Sequence, residues 1–212
     1  MRLARLLRTR SQARARGERG VAMLEMAIVA PFLAHIVAGI MEFGTMWRDD
    51  LTLSSSTRAA ARVVSNLGDD HLADYEALLT LKSALASIDG LDVEGVLIYD
   101  ASAADGAPHP SCFDGSGDPQ TSVGRCNYFT EAQLTALPAT CSPSCAEFPD
   151  NGTCLGGWSE AFCPSDDRET DQAVGTTNVG VWIRVQRDYV TGIFPGDGVT
   201  MTDRTIMKVE PR

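Results

Sequence analysis

The sequence predicts an α+β chain. A long N-terminal transmembrane and stalk helix precedes a small helix-on-antiparallel-sheet module, which carries a long cysteine-rich loop. Three observations predict this. An apolar run, Val21 to Met41, directly follows an arginine-rich leader. Apolar residues then recur at helical spacing as far as Ile88. Segments beginning near residues 91, 179 and 199 alternate as strands do.

The leader is set apart by charge. Residues 1–20 hold seven of the 18 basic residues and one of the 28 acids, Glu18, leaving 11 bases against 27 acids in the rest. A basic head beside an apolar run follows the positive-inside rule, which puts residues 1–20 in the cytoplasm and the body across the membrane. A nucleic-acid-binding tail is the other reading of these arginines. It is disfavoured, because the tail abuts a hydrophobic span and the acidic body would repel phosphate.

Between Val21 and Met41 the only strongly polar side chains are Glu25 and His35. At 1.5 Å per residue this run spans a hydrocarbon core of about 30 Å. Trp47-Arg48-Asp49-Asp50 reads as an interfacial anchor running into water. A cleaved secretory signal would have a shorter apolar core and a small-residue cleavage site, and its helical pattern would not continue. Pro31 removes one helical N–H and is expected to kink the span. His35 reads as a polar residue at a helix contact rather than a ligand.

Glu25 needs a reason, since an acid inside a span costs about 2.5–3.5 kcal/mol at its centre. Its place near one end lowers that cost. Two readings stay open on spacing alone. If the chain is cut after Gly20, the new ammonium of Val21 lies within about one turn of Glu25 and pairs with it, within a chain or between subunits. Otherwise the acid lines a helix–helix contact of a larger membrane complex.

The helix is expected to continue past the membrane. Leu53, Ala60, Val64 and Leu67 form one apolar stripe among Ser, Thr and Arg. Val21 to Asn66 makes a helix of about 46 residues, roughly 69 Å long. Gly68 suits its stop, and Asp69 or Asp70 the next N-cap. Leu72, Tyr75, Leu78, Leu81, Leu85 and Ile88 then mark a second helix closed by Gly90. Leu91 to Tyr99 alternates as a strand, as do Val179 to Val185. Val199, Met201, Met207 and Val209 suggest a last strand, with Asp203 breaking the pattern and residues 192–198 making the turn before it. The expected divisions are residues 1–20, a cytoplasmic leader; 21–47, the membrane helix; 48–67, the stalk; and 68–212, the exported domain, with 101–177 as a cysteine-rich insertion.

All six cysteines, Cys112, Cys126, Cys141, Cys145, Cys154 and Cys163, lie in that insertion. An even count in a loop-rich stretch beyond a membrane span reads as disulfides in an oxidising compartment. Six cysteines allow 15 pairings, and the sequence does not choose. Cys141-Ser-Pro-Ser-Cys145 has a ligand-like gap, but no second knuckle follows, so no metal is expected. A loop this long is functional or stapled. A display role predicts that deleting residues 105–170 leaves assembly intact and abolishes surface binding.

No catalytic residue and no cofactor are expected. His35, His71 and His109 lie in the span, at a helix start and between two prolines. No Gly-x-Ser-x-Gly, His-Glu-x-x-His or P-loop pattern occurs. Asp114-Gly-Ser-Gly-Asp118 lacks the spacing and closing Glu of a calcium loop and reads as a solvated acidic turn.

Three segments carry a family resemblance. The basic leader, Gly20, four residues and then Glu25 follow the pattern cut by prepilin peptidases. Leu24-Glu25-Met26-Ala27-Ile28-Val29-Ala30-Pro31 resembles the Val-Glu-Phe-Ala-Leu-x-x-Pro opening of TadE-like proteins. Gly39-Ile40-Met41-Glu42-Phe43-Gly44 and Thr57-Arg58-Ala59-Ala60-Ala61-Arg62 are similar to their Gly-x-x-Glu-Phe-Gly and Ala-Arg-x-Ala-Ala-Arg segments. The likeness covers about residues 17–66, and Ile206 to Pro211 loosely resembles family C-termini. It implies a pseudopilin or minor pilin of the tight-adherence pilus system, cleaved after Gly20 to expose Val21, with Glu25 guiding subunit addition. It further implies a bacterial inner-membrane location and contact with a prepilin peptidase, other pilin subunits and the assembly platform. Nucleic acid is not an expected partner. Met26 departs from the pattern, since that place is usually aromatic. The alternative is an uncleaved single-pass anchor displaying a disulfide-stapled binding domain.

Overall fold

The computed structural model describes residues 2–192 and 194–211, with the side chains of the first helix described from residue 20 onward. The arginine side chains of the leader before Gly20 lie outside the described residues. Helix α1 runs Arg2–Leu67, so the helix extends upstream of the expected start at Val21. The chain forms two compact units. One comprises residues 1–46 with 189–195; the other comprises residues 47–188 with 196–212.

In the larger unit, α1 stops as its sequence demands. Gly68 takes φ +57°, and its N–H donates to the Val64 carbonyl at 2.9 Å. This left-handed turn is open to glycine, and an added Cβ would also press on Thr170 and Val209 at 3.0 Å. Helix α2 spans Ala73–Leu85. It ends earlier than expected: residues 86–90 turn instead, and Gly90 has φ +68°. Asp70 is not its N-cap either. The Asp70 carboxylate accepts the Leu72 N–H at 2.9 Å, closing a turn just ahead of the helix, whose cap position is Leu72.

Four strands follow: β1 (Leu91–Asp100), β2 (Cys126–Phe129), β3 (Asn178–Arg187) and β4 (Val199–Lys208). They form one antiparallel sheet in the order β2-β1-β3-β4. Strand β4 runs unbroken through Asp203, which pairs with Ile183. Backbone pairing therefore overrides the local polar break. Between Val93 and Gly95 the β1–β3 register shifts, which re-phases the alternation midway along β1.

Each sheet face has its own cover. Val96, Ile98, Phe129, Val181 and Ile183 meet Leu53, Ala60 and Val64 of α1 and Tyr75, Leu78, Leu81 and Leu85 of α2. Leu97, Tyr99 and Trp182 face the other way, with Cys112, Cys126 and Phe113. The alternation in β1 and β3 therefore separates two cores rather than a core and solvent.

Residues 101–177, read from the sequence as a cysteine-rich insertion, are built into the sheet and the main core. They supply the edge strand β2 and helix α3 (Glu131–Thr135), whose Thr130 and Gln133 form a capping box. A one-turn helix α4 (Pro164–Asp167) follows. Phe129, Leu134, Leu137, Phe148 and Phe162 from this stretch all join the main core. Its six cysteines pair in chain order: Cys112–Cys126, Cys141–Cys145 and Cys154–Cys163. Cys141 and Cys145 thus bond to each other. Closing these rings contributes about 2–3 kcal/mol each by restricting the unfolded chain.

Tyr99 provides a pH test of the second core. Its ring lies against Gly180, where an added Cβ would collide with it, and its hydroxyl donates to the Gly106 carbonyl at 2.9 Å. Burial pushes the phenol up to about 12. The folded state therefore holds this proton more tightly than the unfolded state does. Stability from this site is intact below about pH 10, the ordinary tyrosine value, and falls as pH rises from there through the folded value. Ultraviolet titration of phenolate is expected to show Tyr99 ionising with the onset of alkaline unfolding. A normal, fully reversible titration of all four tyrosines with the fold intact would contradict this burial.

Candidate functional site

The region of interest is the apolar part of α1. Its best 18-residue stretch has mean hydropathy 2.0 and is buried nowhere within the protein. The apolar side chains point in all directions around the helix: Leu24 is 64% exposed, Phe32 69% and Ile40 66%. Water does not tolerate such a surface over this length, so lipid or other apolar helices must cover it.

Gly20 and Val21 lie on this helix, both exposed. Among the described residues, nothing stands within 4 Å of where a Gly20 side chain would begin. Glu25 is exposed one turn beyond Val21, and among the described residues it makes no hydrogen bond or ion pair. Met26, also exposed at 62%, presents a flexible apolar chain beside it. Pro31 lies within the continuous helix. His35 turns back onto its own helix, and its Nδ1 donates to the Pro31 carbonyl at 2.8 Å.

Glu42 ends the apolar run and is only 2% exposed. One carboxylate oxygen accepts the Val190 N–H at 2.8 Å. The other accepts the Thr191 N–H and hydroxyl, both at 2.9 Å. The β3–β4 connection is thereby bound to α1 through three charge-assisted bonds. Sequence reasoning found Glu42 only as part of a motif and as the end of the span. A usable signal was there: an acid directly abutting an apolar run, seven residues short of the next acids, Asp49 and Asp50.

The larger unit carries two further ion pairs on its helices. Asp49 of α1 accepts from Arg187 at the end of β3, and both side chains are 10% exposed. Asp74 of α2 is fully buried and meets Arg168 at 2.6 Å. Its second oxygen accepts the Asn127 amide at 2.9 Å. Asn127 in turn exchanges hydrogen bonds with the backbone N–H and carbonyl of Phe162, at 2.8 and 2.9 Å. The signal for Asp74 was its phase. It precedes Leu78, Leu81 and Leu85 by four, seven and eleven residues, so it sits on the apolar stripe of α2.

The other polar candidates are engaged structurally. Asp114 accepts the N–H groups of Asp118 and Ser116, at 2.9 and 2.8 Å. These bonds, that of Asp118 foremost, hold its carboxyl below the usual carboxylate range. The Asp118 carboxylate pairs with Arg184 at 2.7 Å, and Arg184 also meets Glu94 at 2.5 Å. His71 Nε2 donates to the Pro143 carbonyl, and His109 Nδ1 accepts the Ser111 N–H.

Among the described residues, one apolar helix of membrane-crossing length, ahead of a disulfide-stapled α+β domain, fits a single-pass membrane anchor. Residues 20–62 match the family model of the TadE-like proteins. The resemblance read from Glu25 to Pro31, Gly39 to Gly44 and Thr57 to Arg62 is thus borne out over that segment. The match supports a role related to Tad pili in general terms, as a pilus-system component in contact with membrane and other pilus proteins. No curated protein and no solved structure matches the chain.

Proposed function

We propose that the chain is a pseudopilin or minor pilin of a Tad-type, type IV-related system. It inserts with residues 1–20 in the bacterial cytoplasm and the disulfide-stapled domain on the periplasmic side. A prepilin peptidase cuts after Gly20. The mature subunit then leaves the inner membrane through the assembly platform and joins other pilin subunits by its N-terminal helix. The chain acts structurally, without catalysis, cofactor or nucleic-acid partner.

The observation that carries this reading is the TadE-like match over α1, whose apolar stretch is bare on every side. Glu25 supplies the chemistry. Cleavage after Gly20 creates an ammonium at Val21, one helical turn away, and burial in a fibre core strengthens the attraction between the two charges. A carboxylate without a partner among the described residues is available to a neighbouring subunit's amino group. That pairing would set the axial register of addition.

Mass spectrometry and N-terminal sequencing of the membrane-extracted protein test the cleavage. The expected mature start is Val21; an intact Met1 would instead favour the uncleaved anchor. Glu25→Ala is expected to insert normally and to assemble poorly, scored as pilus-incorporated subunit against total membrane subunit. Wild-type incorporation of that variant would refute the role given to Glu25.

A further inference from the structure

The β3–β4 connection has a composition foreign to its surroundings. Tyr189-Val190-Thr191-Gly192-Ile193-Phe194-Pro195 contains no charge, although Asp188 and Asp197 bracket it and the chain as a whole is acidic. Val190 is 55% exposed and Phe194 43%. The rings of Tyr189 and Phe194 lie 5.6 Å apart. This segment belongs to the same compact unit as the apolar helix. It is fixed to that helix at Glu42, next to Met41, the last residue of the apolar run, and Phe43, both well exposed.

We propose that this turn is a second membrane contact: an apolar wedge resting in the lipid interface beside the outer end of the span. The proposal rests on the reading of α1 as a membrane span. Continuity selects lipid as the occupant, because the turn is bound to the residue where the lipid-facing surface of the helix ends. Aromatic and apolar side chains without charge suit the boundary between headgroups and acyl chains. Glu42 makes the placement tolerable as well as fixed. Its carboxylate has three hydrogen-bond donors, so the charge does not enter the interface bare.

The test uses the full chain in vesicles of phosphatidylethanolamine and phosphatidylglycerol carrying radiolabelled lipid. A benzophenone amino acid replaces Phe194, Ile36 in the span, or Val123, an exposed apolar residue of the other unit. Phe194 is expected to label lipid several-fold above Val123, and adding Glu42→Ala is expected to bring that labelling down towards the Val123 level. Glu42→Gln, which keeps an acceptor, is expected to lose less. Strong labelling at Ile36 with Phe194 no better than Val123 would overturn the wedge while leaving the span. Failure at both Ile36 and Phe194 would overturn the span as well. Adducts from Phe194 to protein alone would assign the turn to a subunit contact and refute the lipid assignment. Unchanged lipid labelling in Glu42→Ala would overturn the holding role of Glu42.

Discussion

Asp74→Ala is expected to cost the domain about 3–5 kcal/mol, because it leaves the buried Arg168 guanidinium without its counter-charge. Neither side chain of the pair is exposed. The arginine cannot escape to water, since it is packed over the Phe162 ring at 4.7 Å. Asn127 loses a partner at the same time and keeps only its bonds to Phe162. Domains are commonly stable by about 5–15 kcal/mol, so such a loss is a large fraction of the whole. Urea unfolding of the detergent-solubilised full chain, followed by tryptophan fluorescence, measures it. Removing both charges is expected to be milder than removing one: Asp74→Leu with Arg168→Met should recover most of the loss. A single variant within about 1 kcal/mol of wild type would show that the pair is not an isolated buried charge couple.

Deleting residues 105–170 is expected to abolish folding of the domain. A display role for this stretch predicts instead that the deletion leaves assembly intact. In the structure it contributes Phe129, Leu134, Leu137, Phe148 and Phe162 to the main core. Each such side chain is worth about 1.5–3 kcal/mol when buried, so together they rival the entire net stability. The deletion also removes the β2 edge of the sheet and the arginine that neutralises Asp74. Its products should be degraded in cells and protease-sensitive after extraction. A protease-resistant deletion product would show that the two helices and the remaining strands suffice.

These two expectations mark where sequence reading succeeded and where it stopped. Helix α2 and strands β1, β3 and β4 were legible because each repeats a simple period over many residues. Strand β2 was not, since four residues cannot establish an alternation, and it depends on pairing with β1. The core residues of the cysteine-rich stretch were hidden for a related reason. They sit singly among Gly, Pro, Ser and Asp, and irregular turns rather than a repeating element bring them inward. Of the candidate site, Glu25 stood out because an acid within an apolar run is conspicuous. Glu42 and Asp49 could be noticed but not assigned, since their partners lie more than a hundred residues away. Gly68 was placed correctly because its left-handed conformation is a local demand. Asp70 missed its expected role by the small difference between a turn and a cap.

The three disulfides bear on how this chain matures. Cys112–Cys126, Cys141–Cys145 and Cys154–Cys163 are closed in sequence order, and no bond encloses or crosses another. Under the reading proposed for this chain, export from the membrane end presents each pair complete before the next cysteine emerges. The native bonds are then also the first ones available, so under that reading folding requires an oxidant but not an isomerase to correct mispaired thiols.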